Sequence, residues 1–172
     1  MSLLNSLRPL YRRFLNLFNA VQSPILLCIR LYWGWQFLQT GWGKLQDISK
    51  PIDFFTQLGI PLPTLNAWFV SLLEFGGGIL LILGLASRLI SIPLVIDMIV
   101  AYIAADREAL KLIFSDPDKF MAAAPFTFLF ASVLMMFFGP GSISLDYLIA
   151  RYVEKRHGPS PLPATPTISQ KV

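Results

Sequence analysis

The run from Trp68 to Arg88 is predominantly apolar, is interrupted by Glu74 and then by Gly76, Gly77 and Gly78, and is closed by Arg88. An ionisable carboxyl inside a segment otherwise suited to lipid costs roughly 2.5–3.5 kcal/mol on insertion scales. The fold must therefore offset that cost. Three glycines in one turn remove side chains and let a second helix approach the backbone closely. Glu74 is expected to face protein, and the rest of the chain must supply what it faces.

The surroundings have the composition of an integral membrane protein. Of 172 residues, 55% are hydrophobic and 14% charged, with a mean hydropathy of +0.60, beyond the balance of a soluble domain of this size. A net charge of +4 would suit nucleic acid if the basic residues were pooled on one soluble segment. They sort by loop instead, which excludes a nucleic-acid partner and makes the lipid bilayer the expected one. One cysteine, Cys28, and one histidine, His157, exclude a CxxC pair, an internal disulfide and a His/Cys metal centre, so no metal ligands are assigned.

The expected architecture is all-α: a four-transmembrane-helix antiparallel bundle with interfacial amphipathic helices at both ends. Residues 1–22 space Leu3, Leu7, Leu10, Phe14, Leu17 and Val21 three or four apart, with Arg8, Arg12 and Arg13 between them, and read as an uncleaved amphipathic interfacial helix. A membrane domain follows over 23–156, with spans at about 24–45, 65–85, 89–105 and 121–138. Between the first two spans, Pro51 to Leu58 forms a short amphipathic piece stopped by Gly59 and Pro61-Leu62-Pro63. The short turn at Ala86, Ser87 and Arg88 makes the second and third spans antiparallel neighbours. Gly139-Pro140-Gly141 ends the fourth, and Leu145 to His157 forms a last amphipathic helix. Residues 157–172, rich in Pro, Ser and Thr, read as a disordered tail. Eight basic residues (Arg8, Arg12, Arg13, Arg88, Arg151, Lys155, Arg156, Lys171) lie on the side of the termini, against four (Lys50, Arg107, Lys111, Lys119) on the other. Positive-inside then places both termini in the cytoplasm of a multi-pass cell-membrane protein.

Within the first span Arg30, Gly34, Phe37, Gly41 and Lys44 share one stripe, which should face the bundle. Taking the cytoplasmic span ends as a common plane, Arg30 lies about 9 Å deep, Asp97 about 12 Å and Glu74 about 17 Å, with Gln36 near the level of Glu74. The prediction is one cluster: Arg30 with Asp97, Glu74 or both, supported by Gln36, with Gly34, Gly41, Gly77 and Gly78 allowing close helix packing. Two acids to one base leave room for one proton, which makes Glu74 the candidate catalytic residue, as a proton carrier. The competing reading is a cluster that only fixes helix register. Lys44 either snorkels to the surface or meets an anionic ligand or quinone oxygen. Gln39 suits an interhelical hydrogen bond.

From Arg30 to Asp146 the chain resembles the DoxX family of small bacterial membrane proteins. The resemblance rests on Arg30, Gly34, Phe37, Gly41 and Lys44; on Phe55 with Leu58-Gly59-Ile60-Pro61-Leu62-Pro63; on Glu74, Gly77, Gly78, Leu83-Gly84-Leu85 and Arg88; and on Phe138-Gly139-Pro140-Gly141 with Ser144-Leu145-Asp146. It implies a four-span bundle in the bacterial inner membrane, associated in some members with oxidation of sulfur compounds and electron delivery to quinone. Other members are proposed to organise redox partners or to assist assembly. Where relatives carry histidine or acid near the start of the last span, this chain has Lys119 and then Ala122-Ala123-Ala124-Pro125.

Two functions follow as expectations. One is a subunit of a membrane oxidoreductase that takes electrons from a redox protein partner and binds a quinone non-covalently among the first three spans, with Arg30 and Lys44 stabilising oxyanions. The other is a non-enzymatic scaffold or assembly factor, in which the charged cluster is structural. A homo-oligomer is compatible with either. A proton-coupled carrier would call for broken helices or an internal repeat, and the chain has neither pattern.

Overall fold

The computed structural model describes the backbone of residues 2–157 and the side chains of residues 21–156. Among the described residues the secondary structure is entirely helical: α1 (Ser2–Gln46), α2 (Ser49–Gln57), α3 (Pro63–Leu83), α4 (Ser87–Ala104), α5 (Arg107–Lys111), α6 (Pro117–Ala122), α7 (Ala124–Phe138) and α8 (Leu145–His157). α3 and α4 are long and apolar enough to cross a membrane, while α7 is apolar over 15 residues and falls short of that length. Residues 1–22 were expected as a separate interfacial helix. Instead α1 runs unbroken through Pro24 for 45 residues, and the side chains that would define an amphipathic face there lie outside the described set. The expected tail beyond His157 also lies outside it. The span expected over 121–138 starts at Ala124, because Ala123 is extended (ψ 140°) and Pro125 occupies the first turn, where its missing N–H is harmless.

Among the described residues α1 packs most extensively on α3, α4 packs on α7, and α3 joins the two pairs through a tight turn. Gly84 (φ 69°) and Ala86 (φ 49°) both take left-handed backbone in that turn. The strain at Ala86 is held by Asp146, whose carboxylate accepts the Ala86 N–H at 2.8 Å and the Ser87 N–H at 3.2 Å, while Asp146 donates its own N–H to Gly84 O at 3.0 Å. The start of α8 is thus bonded to the α3–α4 turn, and this defines one end of the bundle, the turn end.

The opposite, loop end carries α2, α5 and α6. Hydrogen bonds from Ser49 and then Lys50 hold the Asp47 carboxyl below its ordinary value where the chain leaves α1 for α2. Asn66 donates to Pro61 O at 2.7 Å and so fixes the loop that carries the left-handed Leu62 (φ 49°). Tyr102 donates its hydroxyl to Phe120 O at 2.8 Å, tying the end of α4 to α6. The buried core among the described residues comprises Leu26, Phe37, Leu81, Leu94, Met98 and Met135.

Candidate functional site

The glycines set the level at which acids and bases meet. A Cβ on Gly78 would lie 2.5 Å from Leu38 N and 2.6 Å from Gly34 O, and one on Gly41 would lie 2.7 Å from Phe75 Cα. These are backbone atoms, so α1 and α3 touch main chain to main chain at both places. Gly77 faces α4 instead, where Leu94 fills the space a side chain would need. Gly76 meets nothing within 4 Å. With α1 and α3 locked in this register, Lys44 Nζ reaches Glu74 Oε1 at 2.6 Å. Glu74 is 3% exposed. A buried carboxylate is tolerable when a cation with good hydrogen-bond geometry faces it, and Lys44 is that cation.

Asp97, on α4, lies within electrostatic range of both Glu74 and Lys44. Glu74 Oε2 and Asp97 Oδ2 are buried and have no hydrogen-bond partner among the described residues. Both acids line a cavity of ≈ 610 Å³ at the loop end, within the range of small-ligand sites. The cavity lies between α3 and α4, away from the tight turn, with α2 as a third wall. Near the turn, Leu94 packs on Gly77. Further along, Val70 and Glu74 of α3 stand across open space from Asp97, Ala101 and Ala104 of α4. Small residues on α4 keep that space from closing. Lys50, Phe54 and Phe55 of α2, with Ile60 and Pro61, cover its mouth. Met98 lies both on the cavity wall and in the core, so apolar packing closes the cavity toward the turn end. With the exposed Cys28 replaced by serine, Ala104→Cys should react with a membrane-impermeant maleimide while Leu94→Cys stays unlabelled in the folded protein. Equal labelling rates would show that the closure is absent.

Arg30 is not in this group. Its guanidinium, 3% exposed, donates to Pro140 O at 2.7 Å and Ile143 O at 2.8 Å at the turn end. A Cβ on Gly84 would lie 2.6 Å from Arg30 Nη1, so Arg30 stands level with the turn. The predicted joining of Arg30 with Glu74 or Asp97 is therefore corrected, and so is its role toward a bound oxyanion. The cause is the zero of depth: α1 crosses the plane of the turn near Arg30, about six residues (9 Å) later than a start at Pro24 assumes. Gln36 and Gln39 also do not line the cavity; Gln39 is exposed and Gln36 half-buried on α1. Gly34 packs against Ile82 and Gly78, toward the turn end from the cavity. Lys50, Phe54, Phe55 and Asn66 were missed as site residues. The amphipathic pattern of Pro51 to Leu58 was the available signal, but it does not say what the apolar face covers.

The DoxX family model matches residues 25–107, which include Lys44, Glu74 and Asp97. The chain is 29% identical over 166 residues, covering 88% of this chain and 95% of the relative, to "Uncharacterized membrane protein Rv3486" of Mycobacterium tuberculosis. It is 29% identical over 122 residues, covering 70% of this chain and 83% of the relative, to a Bacillus subtilis protein named "Putative oxidoreductase CatD". No solved structure matches.

Proposed function

We propose that this chain, whose residues 25–107 match the DoxX family model, is a DoxX-type protein that serves as the quinone-binding membrane subunit of a redox system whose electrons come from a partner protein. The observation that carries this reading is the apolar ≈ 610 Å³ cavity with Lys44, Glu74 and Asp97 on its wall. The fit is chemical as well as steric: Phe54, Phe55, Val70 and Met98 suit a substituted ring, and the unpartnered Glu74 Oε2 and Asp97 Oδ2 call for a polar ligand atom. The word oxidoreductase in the name of the Bacillus subtilis relative supports the redox part.

A quinone, when bound, supplies two-electron chemistry coupled to two protons. Lys44 orients the ligand by directing a free ammonium hydrogen at a ligand oxygen, while Glu74 holds the ammonium in place. Glu74 and Asp97 hold or release protons at Oε2 and Oδ2. Phe54 and Phe55 on α2 present apolar ring surface to the ligand at the mouth. In the same reading α1 from about Arg30, α3, α4 and α7 cross the bilayer, and α2, α5 and α6 lie on the outer surface. The excess of basic residues on the side of the termini orients that side to the cytoplasm. The scaffold reading draws on Arg30, whose contacts are with backbone carbonyls away from the cavity.

The test is titration of the purified protein in nanodiscs with tetramethyl-1,4-benzoquinone. Saturable binding is expected, weakened at least tenfold, or about 1.4 kcal/mol, in Lys44→Ala, read on the folded fraction because this variant strands the buried Glu74 carboxylate. Absence of saturable binding to the wild-type protein would overturn the proposal.

A further inference from the structure

The hydrogen-bond polarity of the cavity distinguishes between two states of one ligand, and this inference rests on the quinone-site reading above. With both carboxyls ionised, the deep polar atoms left without partners, Glu74 Oε2 and Asp97 Oδ2, are acceptors. The one ammonium at that depth, Lys44, already donates to Glu74 Oε1 at 2.6 Å. Lys50, at the mouth, is engaged with Asp47 at 3.0 Å, and Asn66 donates its amide to Pro61 O at 2.7 Å. The site therefore has more acceptor than donor capacity where a ligand's polar end would sit.

A carbonyl oxygen only accepts, so it can use Lys44 but leaves the two carboxylate oxygens facing another acceptor. A hydroxyl does both: it accepts from a remaining Lys44 hydrogen and donates to a carboxylate oxygen. Leaving a buried acceptor unsatisfied costs on the order of 1–3 kcal/mol, more for a charged group. We infer that the Lys44, Glu74 and Asp97 wall, with both carboxyls ionised, selects the reduced, dihydroxy form of an aromatic quinone over its oxidised form. Preference for the reduced form also raises the potential of the bound couple, which favours electron transfer onto a ligand held there. Each tenfold preference corresponds to about 30 mV for a two-electron couple.

Three probes decide the matter under anaerobic equilibrium dialysis against the full chain in nanodiscs: tetramethyl-1,4-benzoquinone, its hydroquinone, and the dimethyl ether of that hydroquinone. The hydroquinone is expected to bind at least tenfold more tightly than either of the others. Glu74→Gln and Asp97→Asn should each cut that ratio severalfold, since an amide adds a donor that suits a carbonyl ligand, and melting curves would show that each variant stays folded. A redox titration of the bound couple gives a second readout, with a shift upward of about 30 mV or more expected. Equal or tighter binding of the quinone would overturn the selection and leave the quinone-site reading standing. Equal binding of the dimethyl ether would overturn it too, by showing that only apolar fit matters. Binding of none of the three would sink the quinone-site reading itself.

Discussion

Gly41→Leu is expected to separate α1 from α3 and remove most folded protein. A Cβ at Gly41 would already lie 2.7 Å from Phe75 Cα and 2.9 Å from the Glu74 carbonyl carbon. Backbone cannot swing aside as a flexible side chain can, so relief requires the two helices to part over several residues. Overpacking of an ordinary core costs about 1–3 kcal/mol, and a clash with main chain should lie at or above the top of that range. The Lys44–Glu74 pair at 2.6 Å would be lost with the register, leaving a buried carboxylate without its cation. Gly43→Ala is the matched control, because a Cβ there meets nothing within 4 Å. It should be neutral or stabilising by up to about 1 kcal/mol through helix propensity. Thermal unfolding in detergent compares the two. A Gly41→Leu protein with the thermal midpoint of Gly43→Ala would refute main-chain contact at this level.

The same seam shows what was legible in the sequence. The spacing of Arg30, Gly34, Phe37, Gly41 and Lys44 identifies the inward stripe of α1 by periodicity alone, and in the structure Arg30, Gly34, Phe37 and Gly41 are buried, with Lys44 half-buried. The short turn after Leu83 pairs α3 and α4, and from it Glu74 and Asp97 both lie about ten residues, or 15 Å, along their helices. Their common level was therefore readable. The level of α1 was not, because α1 connects to α3 through α2 and a loop, so no short turn fixes its height. Choosing Pro24 as the membrane entry displaced the whole stripe by about a turn and a half. The lysine at the far end, fourteen residues from Arg30, became the partner of Glu74. It reaches back with its long side chain over the difference of about 6 Å. The cavity was hidden for another reason: it is lined jointly by α2, α3 and α4, a property of three-dimensional packing that no local pattern encodes.

Arg30→Ala is expected to release the turn end while sparing the loop end. The guanidinium fork bonds two carbonyls of one segment, Pro140 O and Ile143 O, from a helix more than a hundred residues earlier in the chain. Charge-assisted hydrogen bonds of this kind contribute about 1.5–3 kcal/mol each, so their joint loss should cost about 3–5 kcal/mol, the scale seen for breaking buried charged contacts. Gly84 adds to the effect, since its missing side chain is the space the guanidinium fills. Asp146, within electrostatic range of Arg30 and bonded to the Ala86 and Ser87 N–H groups, should lose its grip as the segment from Pro140 to Ser144 loosens. The readouts are a lowered thermal midpoint and faster proteolysis at the start of α8. Arg30→Lys should restore only part of the loss, because an ammonium lacks the planar fork that spans two carbonyls. Quinone or hydroquinone affinity in the folded fraction should stay within about twofold of wild type, a difference below 0.5 kcal/mol. Should Arg30→Ala instead keep the midpoint and lose ligand affinity, Arg30 would belong with Glu74 after all, and the separation of latch from cavity would fall.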